Sequence, residues 1–340
     1  MQNKYLELLK TIEEKPPRRL NDHILVIDAM NTFIRNFTMI NLMNPQGSHV
    51  GGLVGFLKSL GFLVRTFEPT RVVVVFDGPG SSAARKNINS DYKANRQINR
   101  ITNWEIYDNK DQEYASMSAQ IERLVEYLHM LPVDLLAIDK VEADDVIAYI
   151  GKQFDQSKVT IVSSDKDFMQ IVNDRIQIYS PVKKTVYGPA EVLEEQGVLP
   201  SNYLIVKSLL GDNSDNLSGV KGLGIKGILK HFPKLIDTPN TDLDYVYEIC
   251  EEGVEKTKVF AKILERKHAV DQNYGLMNLM IPQLSDRQIS IILDVLETPC
   301  QQLNATAFML MLQQDNIQHG ITKNTESWLE VFRPLLTVKK

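Results

Sequence analysis

Hydrophobic residues in this chain gather into short unbroken runs that end on acids or turn residues, with longer amphipathic stretches between them. His23-Ile24-Leu25-Val26-Ile27-Asp28 predicts a buried strand closed by a carboxylate. Four further runs predict strands: Val72–Phe76, ending at Asp77; Val133–Ile138, behind Pro132; Val159–Val162, leading to Asp165; and Arg175–Tyr179, leading to Pro181. Helical spacing over Gly51–Phe67, Met117–Met130 and Glu142–Phe154 fills the intervals. Apolar runs without polar alternation suit strands covered on both faces. Their alternation with helices predicts an α/β fold, a mostly parallel central sheet between two helical layers. Such sheets bind ligands at the carboxyl ends of their strands. Ahead of this core, Tyr5, Leu8, Leu9 and Ile12 predict a short helix stopping before Pro16-Pro17. Past residue 199 the strand pattern gives way to helices broken by glycine and proline, from Gly211 to Pro299. The expected organisation is an α/β core over 1–198 and a helical domain over 199–340, without internal repeats.

Composition narrows the function classes. The chain has 340 residues, 43% of them hydrophobic, enough for one large domain or two ordinary ones. Thirty-eight Lys and Arg against 43 Asp and Glu leave a net charge of −5, which excludes a binder held to nucleic acid by charge alone. The two cysteines, Cys250 and Cys300, exclude a disulfide framework and a cysteine zinc site. No apolar run approaches the ~18 residues of a membrane helix, and the polar N-terminus lacks a signal-peptide core. No Gly-x-Ser-x-Gly elbow supports serine-hydrolase chemistry. A cytoplasmic protein without a membrane partner is expected.

The acids are placed unusually. Asp28 and Asp77 each close an apolar strand. Glu142, Asp144 and Asp145 open a helix, where the helix dipole alone would account for them. Asp165 and Asp167 follow a strand, and a two-residue period would point both to one side with Lys166 on the other. Asp212 and Asp215, three apart, share a face of any helical turn. Brought together, these nine carboxylates would repel one another unless divalent cations compensated them, and all-oxygen ligands suit Mg²⁺ or Mn²⁺. Two such ions about 3.5–4 Å apart serve phosphodiester hydrolysis.

Two basic elements complement the acids. Residues 81–100 carry Arg85, Lys86, Lys93, Arg96 and Arg100 against Asp91 alone, with Tyr92 offering a stacking face beside Lys93. A solvated charged helix is the plain alternative, but basic and aromatic residues combined in this way track phosphates. Gly219-Val220-Lys221-Gly222-Leu223-Gly224-Ile225-Lys226 lies between helical patterns, and Lys230 follows it. No strand precedes these glycines and no Gly-Lys-Ser/Thr follows, so neither a dinucleotide fingerprint nor a P-loop is present. A helix–hairpin–helix over about 203–232, gripping a duplex backbone, fits better.

With these residues assembled, the chain resembles the 5′-nuclease (flap endonuclease) superfamily, in particular its T-even-type phage ribonuclease H branch, over roughly residues 22–295. The motifs are Ile27-Asp28, Phe76-Asp77-Gly78, Tyr92-Lys93-Ala94-Asn95-Arg96, Glu142-Ala143-Asp144-Asp145, Ser164-Asp165-Lys166-Asp167-Phe168 and Gly211-Asp212-Asn213-Ser214-Asp215-Asn216. The branch shows in Asp139-Lys140-Val141-Glu142 and Ser180-Pro181-Val182-Lys183-Lys184.

The resemblance implies a PIN-like nuclease core with a helical arch at about 81–116 and a helix–hairpin–helix in the second domain. Asp28, Asp77, Glu142 and Asp144 would surround a first Mg²⁺. Asp145, Asp165, Asp167 and Asp215 would surround a second, with Asp212 a direct or water-mediated ligand. Arg85 and Lys93 match the arch residues that contact the scissile phosphate. Arg96 and Arg100 would guide the 5′ strand, with Tyr92 a further nucleic-acid contact. Gly219, Lys221, Gly222, Gly224, Lys226 and Lys230 would hold the duplex, at a hairpin that in the family often carries K⁺. The implied substrates are DNA and RNA·DNA duplexes with a 5′ end, flap or nick, cut to leave a 5′-phosphate during replication. Also implied are a monomer, a single-stranded-DNA-binding replication protein as partner, and a host-cell cytoplasmic location if phage-encoded.

Two other classes remain open at this level: a non-catalytic DNA-binding replication factor, and a Mg²⁺ phosphohydrolase using Asp165-Lys166-Asp167. In the tail from 296, Phe308, Met309, Leu310 and Met311 read as core. Trp328 either closes the core or docks a partner.

Overall fold

The computed structural model describes residues 18–94, 103, 105–255, 257–299, 302–321 and 323–338. The expected N-terminal helix and Arg96, Arg100 and Cys300 lie outside them. The five apolar runs form β1 (His23–Asp28), β2 (Arg71–Phe76), β3 (Asp134–Ala137), β4 (Lys158–Val162) and β5 (Ile176–Ser180), all parallel. A sixth strand that the apolar pattern does not show, β6 (Thr185–Tyr187), pairs antiparallel at the edge. At three residues it is too short to carry a period.

The strand order is β3-β2-β1-β4-β5-β6. The chain builds outward from β1 through β2 to β3, then returns to the other side of β1 with β4. That reversal makes the carboxyl ends of β1 and β4 a topological switch point, the place where open sheets of this kind hold ligands.

Side chains alternate across each strand and sort the core into two layers. Ile24, Val26, Val73, Val75, Val159 and Ile161 face one side, and Leu25, Ile27, Val72 and Val74 the other. On the second side lie α1 (Ala29–Met39), α2 (Gly51–Phe67) and, beyond the short α3 (Ala83–Ile88), α4 (Lys110–Leu128). Helix α1 follows β1 without a loop, because the Asp28 carboxylate accepts the Asn31 N–H at 3.0 Å and caps it. Helix α4 starts at Lys110, ahead of the predicted stretch, because Asn109 caps it through the Gln112 N–H. On the first side lies α5 (Ala143–Gln153), followed after β6 by α6 (Pro189–Gln196) and α7 (Pro200–Leu210).

A two-residue ladder, β7 (Gly211–Asp212) with β8 (Leu217–Ser218), leads into α8 (Ile225–His231), α9 (Lys234–Asp237), α10 (Leu243–Gly253), α11 (Lys258–Glu265), α12 (Lys267–Met277) and α13 (Asp286–Glu297). Apolar packing runs without a break from the sheet through α5 into these helices. The tail, α14 (Ala305–Gln314), α15 (Gln318–Ile321) and α16 (Thr325–Glu330), crosses to the opposite side. There Phe308 stacks on Trp328 with ring centres 5.3 Å apart, and Met311 and Phe332 are buried with them. Trp328 closes the core, seated over Gly61 of α2, where an added Cβ would lie 2.2 Å from its indole nitrogen. Leu310 departs from the core expectation and is exposed.

Candidate active site

Asp28 ends β1, buried, and its second oxygen accepts from the Ser163 hydroxyl at 3.0 Å. Ser163 also accepts the Asp165 N–H at 3.0 Å, which ties the end of β4 to the end of β1. Asp77, just past β2 and exposed, accepts the Ala143 N–H at 3.0 Å and so stands at the start of α5. Glu142 and Asp144 occupy the N-terminus of the same helix.

Asp165 and Asp167 do not continue the strand. Asp165 caps a 3₁₀ segment, Lys166–Ile171, accepting the Asp167 N–H at 2.8 Å, so a tight turn brings the two acids together. The expected helical face for Asp212 and Asp215 is corrected too. Asp212 ends β7 and Asp215 lies in the turn before β8, where Asp212 accepts the Ser214 and Asp215 N–H groups at 2.7 and 3.3 Å.

Electrostatics bind this edge into one cluster. Burial first, then the neighbouring Asp165 and Asp77, push the Asp28 carboxyl up to about 7. Burial together with Asp165 and Asp28 holds Asp144 well above the ordinary carboxylate range. Asp167 rises to about 7 through burial and Asp165, although Lys207 pulls it back. These groups resist ionisation because burial, and after it the neighbouring carboxylates, penalise the charged form.

The segment just past α3 folds onto the cluster. Lys93, in a left-handed backbone conformation (φ 54°), places Nζ 2.8 Å from Glu142 Oε1, and its N–H donates to the Asp215 carbonyl at 3.0 Å. Tyr92 departs from the expected stacking role. It is 2% exposed, packed with Leu204, Leu217, Leu276 and Met277, and its hydroxyl bonds Glu142 and Asp215 at 3.2 Å each.

Arg85 also departs from expectation. It is 4% exposed, donates to Glu142 at 2.8 Å and to both oxygens of Asp145 at 2.7 and 3.1 Å, and donates Nε to the Leu276 carbonyl. A guanidinium so engaged does not face a phosphate. Asp145 is correspondingly occupied, since it also accepts the Gln283 N–H at 3.0 Å.

At the expected hairpin, Lys221, Gly222, Gly224, Lys226 and Lys230 are each exposed. Gly219 is needed for packing instead, because an added Cβ would lie 2.0 Å from the Leu210 carbonyl oxygen. Lys262 and Arg266, unforeseen from the sequence, flank this hairpin, donating to the Lys221 and Ser218 carbonyls.

Known proteins settle the family. The 5′-3′ exonuclease, N-terminal resolvase-like domain family matches residues 23–197. The chain belongs to this 5′-3′ exonuclease family. A 5′-3′ exonuclease of Aquifex aeolicus (strain VF5) is 31% identical over 215 residues, 62% of this chain and 69% of the relative. Another, from Bacillus subtilis (strain 168), is 31% identical over 220 residues, 62% of this chain and 69% of that relative. The fold is shared with the bacteriophage T5 D15 flap endonuclease (D155K), solved as a pseudo-enzyme-product complex with DNA and metal ions. That match has a TM-score of 0.60 and 20% identity, covering 91% of this chain and 98% of that one.

Within this exonuclease fold, the donor set fits a hard divalent cation. It is all oxygen, and three of its carboxyls are held up by burial and like charge. Among the described residues no three acids close on a single point. Lysine and arginine nitrogens lie against Glu142, Asp145, Asp167 and Asp212 instead. One of these, Lys207, is not marked out by the sequence motifs. It bridges Asp167, at 2.7 Å, and Asp212. A signal is nevertheless present, since Lys207 is the sole charged residue in the apolar helix α7.

Proposed function

We propose that this chain is a structure-specific 5′-nuclease, hydrolysing phosphodiester bonds with divalent cations, two Mg²⁺ or Mn²⁺, at its acidic edge. The observation that carries the reading is the convergence of Asp28, Asp144, Asp165 and Asp167, joined through Ser163, the Asp165–Asp167 turn and the start of α5, at the switch point of an exonuclease-family sheet. The T5 flap endonuclease of the same fold, solved with DNA and metal ions, supports it.

Asp28, Asp77, Asp144 and Glu142 on one side, and Asp165, Asp167, Asp212 and Asp215 on the other, are the residues that would hold the ions. The bound cations supply the positive charge and Lewis acidity that in-line attack of water on phosphorus requires. Ser163 and the Asn31 N–H orient Asp28, and the Asp165–Asp167 turn fixes the opposing acids. Lys93, with a tenth of its side chain exposed and Glu142 as its ion-pair partner, is the arch cation able to neutralise a scissile phosphate. Lys221, Lys226 and Lys230, with Lys262 and Arg266 beside them, track the duplex backbone, and K⁺ is expected at the hairpin.

The reading extends to RNA·DNA substrates, to ribonuclease H-type primer removal in replication, and to a single-stranded-DNA-binding protein as partner. Among the described residues no helix is long and apolar enough to cross a membrane, and the proposed location is cytoplasmic. Incubation of labelled 5′-flap, nicked, gapped and RNA-primed duplexes with and without Mg²⁺ tests the reading. Metal-dependent release of 5′-phosphorylated products is expected. Intact substrates at every metal concentration would overturn it.

A further inference from the structure

Gln170 lies three residues past Asp167 in the 3₁₀ segment, and its side-chain amide is buried. Nε2 donates to the Asp167 carbonyl at 2.8 Å and to the Met277 carbonyl at 3.0 Å, while Oε1 accepts the Leu279 N–H at 2.9 Å. Two carbonyl partners and one N–H partner fix which end of the amide is which.

The stretch it grips, 276–283 from the last turn of α12 onward, is held from two other directions. Arg85 Nε donates to the Leu276 carbonyl at 2.9 Å, and Asp145 accepts the Gln283 N–H at 3.0 Å. This strap therefore meets all three neighbours of the acidic edge: α3, the start of α5, and the Asp165–Asp167 turn. Gln170 is its bridge to the turn that carries two of the cluster's carboxylates. The Asp167 N–H is already engaged by Asp165, so the Gln170 bond to the Asp167 carbonyl immobilises the other side of the same residue.

We propose that Gln170 is a positioning residue for the divalent-cation site, locking the Asp165–Asp167 turn to the 276–283 strap so that the Asp167 carboxylate meets the sheet edge in one geometry. The inference rests on the nuclease reading above. An oxygen ligand on an unanchored turn loses its fixed direction, and such supporting interactions are commonly worth about ten- to a hundredfold in metal affinity. The effect should therefore pass through Asp167 and spare the distant hairpin.

Calorimetric Mn²⁺ titration of the wild type, Gln170→Met, Asp167→Asn and the double variant tests this, with 5′-flap affinity measured in EDTA alongside. Gln170→Met is expected to weaken Mn²⁺ binding about tenfold. Flap affinity should stay within about twofold, and the added loss in the Asp167→Asn background should fall to about twofold or less. Wild-type Mn²⁺ affinity in Gln170→Met, or an equal loss in both backgrounds, would overturn the proposal. Should Gln170→Met fail to unfold cooperatively, Gln170→Asn, which keeps the amide one methylene short, decides by the same titration. No Mn²⁺ binding by the wild type would overturn the nuclease reading itself, and this inference with it.

Discussion

The Arg85 guanidinium holds the Asp145 carboxylate in a fork, with Nη1 2.7 Å from Oδ2 and Nη2 3.1 Å from Oδ1, and both side chains are buried. A cation carried by α3 and an acid carried by α5 thus neutralise each other inside the protein. Arg85→Ala would leave Asp145 and Glu142 buried without this partner. A loss of about 3–5 kcal/mol of stability is expected, partly recovered by Arg85→Lys, which cannot reproduce the fork. Denaturant unfolding of the two variants reads this directly, and an Arg85→Ala stability equal to wild type would exclude the clamp.

Lys93 is in a different position, since Glu142 is its ion-pair partner and its side chain is partly exposed. Lys93→Met should slow single-turnover cleavage by about 10²–10³-fold, the usual cost of removing one preorganised charge from a developing anion. Flap affinity should hold within about threefold. A collapse in affinity with an unchanged rate at saturation would make Lys93 a binding residue only.

The hairpin lysines make a separable prediction. Replacing Lys221, Lys226 or Lys230 with Glu should weaken duplex binding and lower the salt slope by about one for each phosphate no longer neutralised. The rate at saturating substrate should stay close to wild type. An unchanged salt dependence would show that the duplex lies elsewhere.

Much of this is legible in the sequence because apolar runs and acids mark strand ends directly. Asp28, Asp77 and Asp165 stand at the sheet edge because each follows a strand whose burial dictates its residues. What the chain does not display is which charges cancel. Arg85, Tyr92 and Lys93 are ordinary exposed-type residues by spacing, yet two of them are buried against acids up to 123 positions away in sequence. Lys207 and Gln170 are hidden for the same reason, since their partners Asp167 and Leu279 meet them only after the helical segments pack on the sheet. Leu310 departs from the core expectation because the unbroken apolar run Ala307–Leu312 conceals which face is covered.

His23 gives a pH signature away from the acids. Burial, then Lys158, lowers its pKa from 6.5 to about 4, and its Nε2 lies 2.8 Å from Thr160 Oγ1. Between those values the unfolded chain binds the extra proton, so this group's contribution to stability is lost as pH falls from 6.5 towards 4. At about pH 5 that amounts to about 2 kcal/mol relative to neutral pH. Burial raises Asp134 to about 6, with Arg71 opposing, and this contributes with opposite sign, so the wild type must be compared with His23→Gln. Urea unfolding at about pH 7 and about pH 5 should show the larger acid loss in the wild type, whereas parallel losses would contradict the assignment.

The central claim is that the acids gathered at the ends of β1, β2 and β4 hold the cations that cut nucleic acid. Asp165 adjoins Asp28, Asp144 and Asp167 electrostatically. The decisive measurement is cleavage of a labelled 5′-flap duplex in Mg²⁺ by Asp165→Asn beside the wild type, with flap binding recorded in parallel. Retained binding with cleavage lowered by at least about 10²-fold is the predicted result. Wild-type cleavage by Asp165→Asn would contradict the account.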